Sequence, residues 1–435
     1  MLMYASPRHA ALAAVVLLCL ACGGSKPQAT SSAAKSDAPP PSPIAVPATP
    51  QLYLQTQAAG DQAALQIVQI NSETGKLQLS CLSALGQGAP TALNAFTDMA
   101  FNALGTEVYL SASVADADGQ VQNALYSFQR DPVTGMLTAI DQDANAAGLQ
   151  GQPTLGMMRS FVLDAASQRI FAAEQGTQAS LVTGGIGGFS LRPGGGLSRI
   201  DAHSALESPM PGTDSRDFAT DNYTLTQQLH PSGRFLYTLS PWGCGPMQFR
   251  AYEVDRTSGA LAPLASTPVW NSPAFSIDLA MDPSGRMLIG LGTSGTLELF
   301  SLDGATGLPT PLPPLPSALP DREHTEQLLM HPSGRFFFVR HQDNVGLTSS
   351  MDIYTLDAGT GTASRLNGLV TGMRASAAAL DPTGRWLVVL HLGTVLDPKP
   401  SLDLFYFDAT TGRLSRTDAL SLPKVKGGKL AFAPR

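Results

Sequence analysis

His230-Pro231-Ser232-Gly233-Arg234, Asp282-Pro283-Ser284-Gly285-Arg286, His331-Pro332-Ser333-Gly334-Arg335 and Asp381-Pro382-Thr383-Gly384-Arg385 are four copies of one short phrase. Apolar runs flank each copy, such as Phe336-Phe337-Phe338-Val339 and Trp386-Leu387-Val388-Val389. The chemistry is that of a hairpin. Pro presets the first turn position, Gly takes the positive φ that closes the turn, and Asp, Asn or His before Pro can hydrogen-bond the turn backbone. Two degenerate copies come earlier: Asn102-Ala103-Leu104-Gly105-Thr106 and Asp164-Ala165-Ala166-Ser167-Gln168. His230 and His331 therefore read as turn residues.

A second phrase follows each copy, Asp-x-x-Thr/Ser-Gly-x-Leu, at Asp131 to Leu137, Asp255 to Leu261 and Asp408 to Leu414. Looser copies begin at Asn71, Asp303 and Asp357, and a Gly-rich one runs from Pro193 to Leu197. This is a second hairpin turn in each unit, and its acidic residues read as structural. The second phrase occurs seven times and the first six. The termini repair the count: Leu430-Ala431-Phe432-Ala433-Pro434 matches Leu328-Leu329-Met330-His331-Pro332, and Gln51-Leu52-Tyr53-Leu54-Gln55 matches the strand after the turn. The expectation is an all-β, seven-bladed β-propeller over 51–435, one domain, with one blade closed by both chain ends so that no sheet edge stays open.

Composition agrees. Of 435 residues, 43% are hydrophobic, 14% charged and 7% aromatic, with Gly 42 and Pro 33. That is too apolar for a disordered chain, and four cysteines are too few for a disulfide scaffold. The net charge is −7 and no basic run is present, which argues against a nucleic-acid partner. Cys81 and Cys244 fall in blades far apart and read as free thiols.

The first residues read as an export signal. Arg8 and His9 precede the apolar run Ala10–Leu20, which is too short to span a bilayer. Leu18-Cys19-Leu20-Ala21-Cys22 resembles a bacterial lipoprotein signal, so 1–22 is read as the signal with Cys22 as the acylated residue. Residues 23–50 are rich in Ser, Ala, Pro and Thr and form a tether without a core. The expected address is the bacterial cell envelope, at the outer membrane facing the periplasm or cell surface, with the membrane touched only through the lipid.

The two turn phrases and the terminal closure resemble the lactonase-like propeller family, which includes bacterial 6-phosphogluconolactonases. The resemblance covers nearly all of 51–435 and rests on turn motifs, which specify fold more than chemistry. It implies Glu near Gln327 and Arg near Gln342, where this chain carries neutral amides. It implies an Arg-His pair before His230, where Arg216-Asp217 is nearest, and Asn-Glu where Leu239-Ser240 stands.

Positions at the end of each second strand border the channel mouth: Thr56, Ala112, Glu174, Ser240, Gly292, His341 and His391. Entering loops add Arg159, Arg322, Glu323, His324 and Arg374. His341, His391 and Glu174 are the candidate catalytic residues, acting as general bases on a lactone or its water. Arg374, His324, Arg322 and Arg159 are the candidate binders of a carboxylate or phosphate. No ligand spacing for a metal is present, and no cofactor is expected. Asp141-Gln142-Asp143 lacks the Gly and Glu of a calcium loop. Gly184 to Gly188 reads as a strand start, and Thr310 to Pro320 as a Pro-rich loop. The expected function is binding of a small anionic ligand or an envelope protein at the mouth, by a monomer and without catalysis; the alternative is hydrolysis of an anionic sugar lactone.

Overall fold

Each turn phrase stands between two runs of alternating or continuous apolar residues, and each such run is a strand. The computed structural model describes residues 49–57, 63–81, 84–85, 93–115, 121–144, 158–174, 185–203, 226–240, 248–264, 276–292, 295–315, 323–343, 348–393, 399–423, 425 and 429–434. The signal, Cys22, most of the tether, Arg322 and Cys244 lie outside the described residues.

The strands form seven four-stranded antiparallel sheets. Blade I comprises β1 (Gln51–Gln57), β2 (Ala63–Asn71), β3 (Lys76–Cys81) and, from the other end of the chain, β28 (Leu430–Phe432). Blade II is β4 (Leu93–Phe101), β5 (Glu107–Ala115), β6 (Val121–Arg130) and β7 (Leu137–Ala144). Blade III is β8 (Met158–Asp164), β9 (Arg169–Glu174), β10 (Gly185–Leu191) and β11 (Leu197–His203). Blade IV is β12 (Thr226–Leu229), β13 (Phe235–Ser240), β14 (Gln248–Val254) and β15 (Leu261–Pro263). Blade V is β16 (Ser276–Met281), β17 (Met287–Gly292), β18 (Leu297–Leu302) and β19 (Pro309–Pro311). Blade VI is β20 (Glu323–Met330), β21 (Phe336–Asp343), β22 (Ser349–Asp357) and β23 (Thr362–Gly372). Blade VII is β24 (Ala375–Leu380), β25 (Trp386–His391), β26 (Ser401–Asp408) and β27 (Arg413–Ser421).

The fold is thus the seven-bladed propeller, and its first blade is made by both termini: Leu52 pairs with Phe432 and Leu54 with Leu430. One expectation is corrected. The Pro-rich stretch from Thr310 is not all loop, because Pro309–Pro311 form β19 and Leu315 bridges back to Leu297. An edge strand tolerates prolines because its outward N–H groups need no ladder partner.

Both turn phrases behave as hairpin chemistry requires. Gly233, Gly285, Gly334 and Gly384 have φ of +68°, +73°, +69° and +74°. In the degenerate copy the left-handed residue is Gln168, at φ +52°. In the second turn the Asp side chain caps two backbone N–H groups, as Asp303 does for Ala305 and Thr306 at 2.9 and 2.8 Å. Asn71 does the same in blade I, at 3.0 and 2.9 Å.

The core lies between blades. Phe338 and Ile353 of blade VI pack with Leu387, Val389 and Phe405 of blade VII. Second-turn glycines reach the preceding blade: Tyr53 Oη donates to Gly135 O at 2.6 Å, and Tyr237 Oη to Gly307 O at 2.7 Å. His230 accepts from Ser232 N at Nδ1 (3.1 Å) and meets Gly285 O of the next blade through Nε2 at 3.1 Å, so Nε2 carries the proton. The two turn histidines are structural stitches, as expected.

These caps set an acid limit. Backbone N–H groups hold the carboxyls of Asp131, Asp255, Asp303, Asp357 and Asp408 below the ordinary 3.8. A lowered folded pKa contributes stability that is present above the unfolded value and lost as pH falls through the folded one. Unfolding midpoints should therefore drop below about pH 4, and an Asp303→Asn, Asp408→Asn pair should flatten that drop by lowering the pH 7 midpoint toward its acid value. A steeper drop in the double variant would contradict this assignment.

Candidate functional site

The second strand of each blade runs from its first turn toward the opposite end of the ring. His341 and His391 close β21 and β25 at that end, in equivalent registers: His341 pairs with Thr325 and Ser350, His391 with Ala375 and Ser401. Both are 6% exposed. Side chains two apart on a strand share a face. His341 thus lies on the face of Val339, which packs against blade V, and His391 on the face of Val389, which packs against blade VI. The two histidines belong to different blade interfaces.

Each is the inner end of the same three-strand ladder. His341 Nε2 lies 3.5 Å from Asp352 Oδ1, and Arg365 holds that carboxylate with two 2.8 Å bonds. His391 Nε2 lies 3.6 Å from Asp403 Oδ2, and Arg416 bonds the other oxygen at 2.8 Å. Burial alone would raise the Asp352 carboxyl, but hydrogen bonds from His341 and Arg365 outweigh it and hold the pKa below its ordinary value. Asp352, Arg365, Asp403 and Arg416 were not singled out from the sequence.

The tautomer of His391 is fixed by its neighbour. Met373 O can only accept, so Nδ1–H donates to it at 2.9 Å. The lone pair of neutral Nε2 then faces Asp403 in a buried site. Burial lowers the His391 pKa, the Met373 and Asp403 interactions oppose that, and the charges of Arg416 and Arg340 reinforce it. Directly above runs the crossing from β23 to β24, where a Cβ on Gly372 would meet His391 Cε1 at 2.7 Å. The imidazole is therefore roofed by its own chain.

Arg374 follows in that crossing. It is exposed, at φ +52°, and its carbonyl accepts from Leu392 N at 3.2 Å. Left-handed backbone costs a non-glycine residue about 1–2 kcal/mol. Among the described residues no hydrogen bond or ion pair holds its guanidinium. Of the other expected binders, Arg159 lies at a bulge in β8, and His324 pairs with Gln342 in β20, equivalent to Arg374. Glu174 ends β9 opposite Gly185, several blades away.

The inner ring holds a charged pair that sequence comparison missed. In β20 the register slips between Thr325 and Gln327, so Glu326 is a bulge residue, and its carboxylate binds Arg340. A bulge re-aims one side chain against strand alternation. Arg340 is buried and also donates to Ala375 O at 2.5 Å and Ser376 O at 3.3 Å. Gln327 clamps the next inner strand, exchanging 2.9 Å bonds with Ala378 N and O. Asp278 does the same work one blade earlier, accepting from Leu328 N at 2.9 Å; burial pushes its carboxyl up to about 6. Asp141, rejected above as a calcium ligand, accepts from Leu197 N at 2.9 Å. Among the described residues no cluster of three or more His, Cys, Asp and Glu is placed to hold a metal.

No protein-family model matches the sequence, and none of the curated proteins matches it. Solved structures share the fold. A candidate 6-phosphogluconolactonase from Bacteroides fragilis is 16% identical, with a TM-score of 0.66 over 90% of this chain and 99% of its own. A second, from Bacteroides uniformis, is 14% identical with a TM-score of 0.67 over 88% and 99%. The periplasmic gluconolactonase of Pseudomonas aeruginosa is 16% identical with a TM-score of 0.61 over 88% and 99%. At such identities the likeness establishes the propeller and not its chemistry.

Proposed function

We propose that this chain is an exported, lipid-anchored propeller that binds a small anionic ligand or an envelope protein at the channel mouth and does not catalyse. The observation that carries the reading is the commitment of His391. Its one proton goes to Met373 O, its other nitrogen faces Asp403, and the chain roofs it, so no substrate proton comes within reach. Arg340 is likewise spent on Glu326 and backbone carbonyls. Arg374 is left as the anion contact, presented by a crossing that His391 holds in place. Export and anchoring rest on the signal ending at Cys22.

The reading is tested by assaying a panel of sugar lactones and the corresponding aldonates with wild type, His341→Ala, His391→Ala and Arg374→Ala. The expected result is no turnover by wild type and an aldonate affinity that falls about 10-fold or more in Arg374→Ala, the worth of one charged hydrogen bond. Lactone turnover that is lost in either histidine variant would overturn it in favour of a lactonase. That second reading draws on the fold shared with the Pseudomonas aeruginosa gluconolactonase.

A further inference from the structure

An open groove lies on the opposite, turn-bearing face, between blades V and VI. It has a volume of about 560 Å³, within the ~300–1,000 Å³ of small-molecule sites. Its wall includes Pro283 and Ser284 of one first turn, Ser333 and Arg335 of the next, and Asp357, Thr362 and Ser364 from the second turn of blade VI. Thr362 and Ser364 are exposed there, beside β19, which stops after three residues.

Of the three charged residues in the wall, Arg335 and Asp357 keep hydrogen-bonding capacity toward the groove. Arg335 needs only its backbone for the turn, where its N–H donates to Ser333 Oγ at 3.2 Å. Its guanidinium rests 5.6 Å from the Phe336 ring centroid, which limits its motion and leaves its donors open. Asp357 gives Oδ1 to Gly359 N and Thr360 N at 2.9 and 3.2 Å, and those bonds keep the carboxyl ionised. The Thr360 side chain also bonds the carboxylate, and the residue is exposed, so acceptor positions remain toward the groove. The strand backbone sets the two side by side, Leu356 N donating to Arg335 O at 2.8 Å, yet no ion pair joins them.

We infer that this groove is a binding site for a neutral saccharide. A fixed donor fork, an open carboxylate acceptor and a row of hydroxyls match vicinal sugar hydroxyls, which both donate and accept. The buried Asp282 carboxylate and Asp357 offset Arg335, so the groove has no net attraction for an anion.

The test is calorimetric titration of the full chain with cellohexaose, maltohexaose, chitohexaose and, as an anionic probe, hexagalacturonate. The inference expects saturable binding of at least one neutral oligomer. Arg335→Gln and Asp357→Asn should each weaken it about 10-fold. Asp357→Asn keeps the turn, since Asn71 caps the same turn in blade I, so its unfolding midpoint reports an intact fold. Arg286→Gln, the same turn position outside the groove, and Arg374→Ala at the mouth should bind as wild type does. The inference is overturned if no neutral oligomer binds at millimolar concentration or if both groove variants bind unchanged. It is equally overturned if Arg286→Gln loses as much, or if the anionic hexamer binds best and that binding is lost in Arg335→Gln and kept in Arg374→Ala. None of these outcomes bears on the mouth, which Arg374→Ala reads separately.

Discussion

Deleting Lys429 to Arg435 is expected to cost the chain its native fold at 25 °C. The segment is short, but it is the innermost strand of blade I. It pairs β1 at Leu52, Tyr53 and Leu54, and its Ala433 N donates to Gln51 O at 3.0 Å. Its loss opens β1 as an unpaired edge facing the axis, leaves the Leu52 and Leu54 cluster without Leu430 and Phe432, and parts the contact that joins the two ends of the ring. At about 1 kcal/mol per net hydrogen bond, with apolar burial added, the sum is several kcal/mol. That is a large share of the ~5–15 kcal/mol a domain has in total. Urea unfolding should show a midpoint near zero denaturant, and size exclusion should show aggregates formed through the open edge. A synthetic peptide of residues 427–435 added in trans should restore a folded monomer, because an extended strand can add to a free edge by main-chain pairing. A truncated chain with the wild-type midpoint would mean that β28 contributes nothing to closure.

What could be read from the residues alone follows from how each feature is encoded. Turns are local: Gly at positive φ, Pro before it and Asp capping two N–H groups fall within seven residues, so their spacing survives on the page. Terminal closure was legible for the same reason, as a missing turn with its two flanking strands at opposite ends. The ladders were not, because their members sit on three strands joined by loops of different length. Yet a signal existed. Asp352 and Arg365 are 13 apart, as are Asp403 and Arg416, and each pair follows a second-strand histidine. The Glu326–Arg340 pair was hidden by a different cause. Strand alternation points Gln327 and Arg340 at one another, and only the bulge turns Glu326 toward the same guanidinium.

The ladders also supply the second large effect. Asp403→Ala should destabilise by about 3 kcal/mol, the typical cost of removing one partner from a buried charged pair. The carboxylate is 6% exposed and Arg416 is 56% exposed, so Arg416 recovers water while the emptied site and His391 do not. The triple replacement His391→Leu, Asp403→Leu, Arg416→Met should lie much nearer wild type, because a filled apolar ladder carries no desolvation cost. Urea midpoints at constant m decide this, and a triple variant as unstable as Asp403→Ala would show that the ladder itself is stabilising. The same pair of variants separates the roles of His391. In the triple variant the bond to Met373 O is gone, and the crossing that carries Arg374 in a left-handed conformation loses its hold. Anion affinity at the mouth should then fall even though stability is kept. A site that depends on proton transfer would instead lose turnover with ligand affinity unchanged. Stability retained with affinity lost is the outcome that assigns His391 to positioning Arg374.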